Sequence, residues 1–338
     1  MEVISQGAHA AYAIRDPGDI GAARRAAVEL AHVLRFDETA RGRTALVVTE
    51  AGTNLLKHAG GGEIVVGATS QDGGGVEILA LDRGPGIPDI NRSMTDGFST
   101  RGGAGTGLGA IRRLSSFFDL HSDSAGTAVL SRINSPTARS TPAARVGGIS
   151  VPLHGESLCG DAWAYAWEAR PSALMIVDGL GHGQAAFEAA QTAIRVFREQ
   201  PLTPPADLLH LVDLASHGTR GAAAAVADLN FERQVARYSG IGNTSATLVT
   251  SKGERRSLVS MHGVLGAANG HPRVFEYPWN DAKTILVLHS DGLTSHWDLA
   301  RYPGIFSRDP TLIAAVLYRD FSRGRDDVSV VVCRLETP

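Results

Sequence analysis

Cysteine is nearly absent from this chain: Cys159 and Cys333 are the only two among 338 residues, too few for a disulfide framework. Both sit in apolar, strand-like surroundings, which predicts two buried thiols in a reducing compartment. Long apolar runs are missing as well. Nothing approaches the roughly 20 apolar residues of a membrane span, and the opening MEVISQGAHAAYAIRD has no apolar run behind a positive cluster. The expectation is a cytoplasmic protein with no membrane partner. An excess of positive charge is lacking too. Lys and Arg number 32 against 35 Asp and Glu, for a net charge of −3, and no basic stripe stands out, which argues against a nucleic-acid partner. No internal repeat or heptad array is visible, so solenoid and coiled-coil architectures are set aside.

What is present suffices for two cores. The hydrophobic fraction is an ordinary 43%, and domains of roughly 100–200 residues make two the default for this length. Residues 134–146, NSPTARSTPAARV, lack any apolar period and read as a linker between a domain at 1–133 and one at 147–338. In the first, helices are expected over 19–34 and 39–58. Ala22, Ala26, Leu30 and Val33 would form the apolar face of one, and Leu46, Val47, Leu55 and Leu56 that of the other. Strands are expected over 63–69 and 76–81, a helix over 108–117, and closing strands over 119–121 and 127–133, which gives an α+β sandwich with helices on one sheet face. In the second, strands are expected at 174–177, 222–227, 246–250, 284–288 and 328–333, with helices at 184–200, 205–216 and 311–321. Trp163, Tyr165 and Trp167 alternate as core residues of one further strand.

The first domain carries three boxes in order. Glu50 and Asn54 are four apart on one helix face, where a carboxylate suits a proton acceptor and an amide oxygen suits a Mg²⁺ ligand. Asp82 ends a strand, where its carboxylate can accept the exocyclic amine of adenine, and Gly84 and Gly86 allow close backbone approach. Then GGAGTGLG (Gly102, Gly103, Gly105, Thr106, Gly107, Leu108, Gly109) runs into a helix, whose N–H groups can cradle phosphates. Alone, each box is a polar helix face or a turn; together, in this order, they predict a nucleotide site. EAGTNLLKHA, DRGPG, GGAGTGLG and the later Gly126-Thr127 resemble the boxes of the GHKL ATPase superfamily. The stretch from GPGIPDINRS through the DGFST lid resembles RsbT-type switch serine kinases of bacterial partner-switching systems. The resemblance covers nearly all of residues 8–133. It implies Asn54 as Mg²⁺ ligand, Asp82 as adenine anchor with Thr127 as its support, and Glu50 as base toward a substrate serine. No helical dimerisation segment with a phospho-acceptor His precedes the domain, which disfavours a histidine kinase.

The second domain spreads Gly160-Asp161, Asp178-Gly179, Asp291-Gly292 and Asp326-Asp327 among apolar, strand-like runs. A single Asp-Gly is ordinarily a turn. Several Asp from separate strand ends suit hard cations instead, and two such cations can clamp the attack of water on a phosphomonoester. GDAWAYAW, ALMIVDGLGHG, ILVLHSDGLTS and GRDDVSVVVC resemble the PPM family of metal-dependent Ser/Thr phosphatases, in its SpoIIE/RsbX-like branch, over residues 147–335. The resemblance implies Asp161, Asp178, Gly179 through its carbonyl, Asp291 and Asp326 as ligands of two Mn²⁺ or Mg²⁺ ions, with Asp178 bridging them. Asp327 stands where many relatives carry Asn and is the lesser ligand of its pair. Arginine to hold the phosphate is not evident near the start of the domain. His182 is expected to cap or flank the following helix, Glu156 is a candidate supporting carboxylate, and Cys159 lacks a base that would make it a nucleophile.

Combined, the α+β fold class becomes a GHKL-type α/β sandwich followed by a PPM-type α-β-β-α sandwich. The resemblances imply a protein that phosphorylates Ser or Thr of a STAS-domain antagonist with ATP and Mg²⁺ and dephosphorylates it in the second domain. A sigma factor or a further kinase or phosphatase would complete the partner set. The alternative is a phosphatase whose N-terminal domain senses ATP or sequesters a partner without turnover.

Overall fold

The computed structural model describes residues 2–5, 7–69, 74–94, 107–135, 145–168, 171–267, 271–281 and 283–335. The chain divides into two compact units whose sequences interleave. One comprises His9–Ala143 and Tyr302–Arg319; the other comprises Met1–Ala8, Ala144–Arg301 and Asp320–Pro338. Sequence order gives no hint of this exchange of short segments, which strand pairing and buried charge bring about.

The unit containing His9–Ala143 is built on a five-stranded antiparallel sheet in the order Ala10–Ile14, Gly62–Thr69, Gly75–Leu81, Gly126–Asn134, Phe117–Asp123. Helices Pro17–Val33 and Glu38–Asn54 pack on one face. Asp16 caps the first by accepting from the N–H groups of Gly18 and Asp19, with Pro17 preset for the opening turn, and Asp37 caps the second through Ala40 N. The buried stripe of the first helix is Ile20, Ala23, Ala27 and Ala31, not the face containing Ala22, Leu30 and Val33; Val33 is 67% exposed. Leu46 of the second helix is likewise exposed. Small alanines win the interior because the two helices pack against each other as well as on the sheet. The second helix ends sooner than its apolar period suggests. Beyond Asn54 it widens into a π-helical turn, Leu55–Ala59, closed by Gly60 at φ +75°.

Strand alternation buries the other sheet face also. Val76, Ile78 and Ala80 point to the helices, whereas Glu77, Leu79 and Leu81 point away yet are no more than 2% exposed. A buried charge network occupies that face. Arg132 donates Nε to Glu77 (2.6 Å), both terminal nitrogens to Asp309 (2.8 and 2.9 Å), and one of them to the Thr311 hydroxyl (2.9 Å). Asp309 and Thr311 belong to the segment Tyr302–Arg319, which is thereby fixed to this sheet. His9 bonds the second Glu77 oxygen at 3.2 Å.

The other unit stacks two antiparallel sheets. One has the order Glu2–Ser5, Asp161–Trp167, Pro171–Gly179, Ala222–Asn230, Val235–Ile241, Phe275–Pro278. The second runs Arg255–Leu258, Ser245–Thr250, Thr284–His289, Val328–Arg334, Val146–Val151. Trp163, Tyr165, Tyr238, Leu286 and Val331 fill the space between them, with Trp167 partly buried at its margin. Helices Gln184–Glu199 and Pro205–Ala215 cover the outer face of the six-stranded sheet through Ala190, Ala193, Phe197 and Leu208. The two-domain α+β architecture expected from the sequence is the one observed.

Candidate active sites

Asp82 follows the last residue of the strand Gly75–Leu81 and is fixed from two sides. Its Oδ1 accepts from Gly84 N at 2.8 Å and Thr127 N at 3.1 Å, and its own N–H donates to the Thr127 carbonyl at 2.9 Å. Thr127 is held by its hydroxyl contact with Ser122 (2.9 Å), and Ser122 also accepts from Ile87 N (2.8 Å). Gly86 is required at φ +76°, since a Cβ there would lie 2.0 Å from the Asp123 carbonyl oxygen. Burial pushes the Asp82 carboxyl above its ordinary range, against the two backbone hydrogen bonds and the charges of Arg319 and His58.

Glu50 and Asn54 occupy the last turn of Glu38–Asn54 and are half-buried. The Asn54 amide meets the start of the helix Gly107–Leu114, where a Cβ on Gly107 would fall 2.8 Å from Asn54 Oδ1. A side chain would fill that cradle, so glycine at 107 fits a small ligand or ion held between the amide and the helix N-terminus. Leu108 and Gly109 continue this helix, which gives way to the strand Phe117–Asp123 sooner than its sequence suggests. Gly103, Gly105, Thr106 and the DGFST lid lie outside the described residues.

In the second unit, strand register does what sequence spacing only suggested. Asp161 and Asp178 are direct cross-strand partners on Asp161–Trp167 and Pro171–Gly179. Asp178 also accepts a backbone hydrogen bond from Asp291, and Asp161 a side-chain bond from Ser290. Burial, then the charges of Asp291 and Asp326, pushes the Asp178 carboxyl up to about 7. Burial and neighbouring Asp178 raise Asp161 well above the carboxylate range. Oδ2 of Asp161 and Oδ2 of Asp178 are buried and accept no hydrogen bond. Paired orphan oxygens of this kind fit a hard cation, because an unsatisfied buried carboxylate is otherwise costly. Among the described residues, no three His, Cys, Asp or Glu side chains converge as bound ligands do.

Gly179 abuts Ala186, whose carbonyl oxygen would lie 2.2 Å from a Cβ. Asp291 Oδ2 accepts from Asn243 Nδ2 at 2.6 Å, a partner with no sequence signal. Asp326 Oδ1 accepts from Asp327 N at 2.9 Å. Asp327 spends both oxygens on the backbone, accepting from Leu153 N and Gly160 N at 2.6 Å each. His182 does not cap the next helix, whose N-cap is Gly183 and has no side-chain cap. Its half-exposed ring instead meets Glu156 through Nδ1 at 2.8 Å, because Gly183 at φ +76° turns the chain beside that carboxylate. Cys159 and Cys333 are both buried and free, and burial pushes both thiols up, which suits neither as a nucleophile.

Comparison with known proteins separates the two sites as well, although the second match runs through the segment Tyr302–Arg319. Residues 15–133 match the histidine kinase-like ATPase domain, and residues 169–336 match stage II sporulation protein E (SpoIIE). The serine/threonine-protein kinase RsbT of Bacillus subtilis (strain 168) is 41% identical over 105 residues, covering 31% of this chain and 79% of RsbT. The phosphoserine phosphatase RsbX of the same organism is 24% identical over 141 residues, covering 41% of this chain and 69% of RsbX. A solved structure from work on the bacterial stressosome, "a modular system that has been adapted to control secondary messenger signaling", superposes with a TM-score of 0.50 at 24% identity. It covers 56% of this chain and 98% of its own. No helix among the described residues is long and apolar enough to cross a membrane.

Proposed function

We propose that this chain, which belongs to the GHKL histidine kinase-like ATPases of RsbT type and carries a SpoIIE/RsbX-like PPM phosphatase domain fused behind them, acts in both directions on one partner. It phosphorylates Ser or Thr of a STAS-domain protein with ATP and removes that phosphate at a divalent-metal site. The observation that carries this reading is the coexistence of a buttressed Asp82 in one unit with the facing Asp161–Asp178 pair in the other. Fusion holds two opposed activities at high mutual concentration.

In the kinase unit, Asp82 would accept the adenine amine, and Asn54 with the helix start at Gly107 would hold Mg²⁺ and phosphates. Glu50, on the same helix face as Asn54, would orient or deprotonate the substrate hydroxyl. In the phosphatase unit, Asp161, Asp178, the Gly179 carbonyl, Asp291 and Asp326 would hold divalent cations, which when bound supply an activated water and neutralise the phosphate. Asp327 would keep the loops at Leu153 and Gly160 in place, each of its oxygens already accepting one backbone hydrogen bond. Glu156 only accepts when ionised, so Nδ1 of His182 carries the proton of their bond and Nε2 is left to face solvent or substrate.

Glu50→Gln is expected to leave ATP affinity nearly intact while phosphotransfer falls by roughly 10²–10⁴-fold. Calorimetry and transfer to a purified STAS protein separate the two quantities. Transfer at the wild-type rate would reduce Glu50 to a polar position on a helix. ATP binding without transfer in the unaltered protein would favour a sensing or sequestering domain.

A further inference from the structure

We infer that Arg319, supplied by the far end of the chain, is a positioning residue of the nucleotide site, and that the segment Tyr302–Arg319 completes that site. The inference rests on the reading of Asp82 as the adenine anchor. Arg319 is 6% exposed, and its Nη1 donates to the Asp82 carbonyl oxygen at 3.2 Å. Arg83 returns the contact by donating to the Arg319 carbonyl oxygen. The dipeptide that carries the anchor is therefore gripped in both directions by one residue. Gly126 makes room for the grip: at φ +140°, a Cβ there would lie 2.0 Å from the Asp82 carbonyl oxygen and 2.9 Å from Arg319 Nη1. Gly126 precedes Thr127, whose N–H holds the Asp82 carboxylate, so the two supports of Asp82 meet at one point. The glycine read from sequence as part of a late Gly-Thr element thus has a local steric reason, set by the Asp82 carbonyl itself, at the point where Arg319 also reaches that carbonyl.

The segment is held firmly enough to position anything. Asp309 and Thr311 bind Arg132. Asp119 accepts from Asp309 N at 2.8 Å and from Arg308 at 3.1 Å, and Tyr318 shares a hydrogen bond with Glu63. These anchors lie toward both ends of the helix Pro310–Phe321 and fix the Arg319 guanidinium, unlike a free surface arginine. Electrostatics point the same way. The charged groups facing Asp82 are Arg319 and His58, and both favour its ionised form against burial. Withdrawing the Arg319 charge leaves burial less opposed, so the carboxylate takes up a proton at higher pH and loses acceptor strength toward adenine.

The test measures ATP affinity of the full chain by calorimetry, from neutral pH down through the carboxylate range, for the unaltered protein, Arg319→Gln, Arg319→Lys and Asp82→Asn. Carboxyl-carbon NMR of Asp82 is run in parallel, with melting curves to confirm folding. Arg319→Gln is expected to weaken ATP roughly five-fold near neutrality, as befits one hydrogen bond and one partly screened charge. Its acid limb of binding and its Asp82 titration should both move to higher pH, and Arg319→Lys should restore most of the shift. A purely structural pillar would lower the melting temperature without moving either titration. If affinity, acid limb and Asp82 titration all match the unaltered protein, the inference is overturned. If Asp82→Asn binds ATP normally, the anchor reading fails, and the NMR titration alone still decides whether Arg319 acts on Asp82.

Discussion

Asp178→Asn is expected to abolish phosphatase activity and, without divalent cations, to raise the melting temperature. Both outcomes come from one arrangement. Asp178 faces Asp161 across the strand pair and lies near Asp291 and Asp326, and burial with those charges pushes its carboxyl up to about 7. A carboxyl with a raised pKa favours the fold only while protonated. Its contribution is complete below the ordinary value of 3.8 and is lost as pH rises through about 7, so at neutral pH and above it burdens the cation-free fold. Asn keeps the shape, removes the charge, and should return on the order of 1–3 kcal/mol. The same change removes the residue proposed to bridge two cations, and activity should fall roughly 10³-fold or more. Scanning calorimetry with chelator, beside phosphoserine hydrolysis with Mn²⁺, checks both. A fully active variant would sink the metal-centre reading. Lost activity together with a lowered melting temperature would assign Asp178 to scaffolding.

The second large effect concerns stability in the other unit. Asp309→Ala is expected to destabilise the sheet that carries the nucleotide site by about 3–5 kcal/mol, because it leaves part of the buried Arg132 charge uncompensated. Glu77 alone would then answer a guanidinium that now has two carboxylate partners. The pH profile should change in a defined way. Burial pushes the Glu77 carboxyl up, but Arg132 and His9 outweigh it and hold it down at about 2. A depressed carboxyl stabilises fully above its ordinary 4.5 and loses that contribution as pH falls toward about 2, so this network resists mild acid. Hydrogen exchange at Gly126–Asn134, measured against exchange in Pro171–Gly179, localises the loss to one unit. Equal loss in both units, or none, would contradict the assignment of Tyr302–Arg319 to the nucleotide-site unit.

Much of this was legible in the sequence where chemistry and local geometry coincide. Strand ends at Asp82 and Asp178 and glycines beside each acidic box follow from rules that operate within a few residues. The facing of Asp161 and Asp178 needed strand register, which no spacing along the chain encodes. Helix 17–33 shows another limit. Its larger apolar residues formed a plausible face, but the helix-to-helix contact selects the alanine stripe. From sequence, His182 is expected to cap or flank the following helix; it does not cap it, and its ring meets Glu156 instead. Arg319 and Asp309 were silent for a different reason. Their partners at Asp82 and Arg132 are more than 170 residues away along the chain, and charged residues near the end of an apolar helix carry no mark of burial.

The most direct test of the account is the intact mass of one STAS-domain protein carried through two incubations with the full chain. With ATP and Mg²⁺, and with Asp178→Asn present to silence hydrolysis, the substrate should gain the mass of one phosphate. After ATP is removed and the unaltered chain is added with Mn²⁺, the same species should return to its starting mass, and chelation should stop that return. A substrate that never gains phosphate, or a phosphorylated one that keeps it in the presence of Mn²⁺, would contradict a chain that both writes and erases the mark.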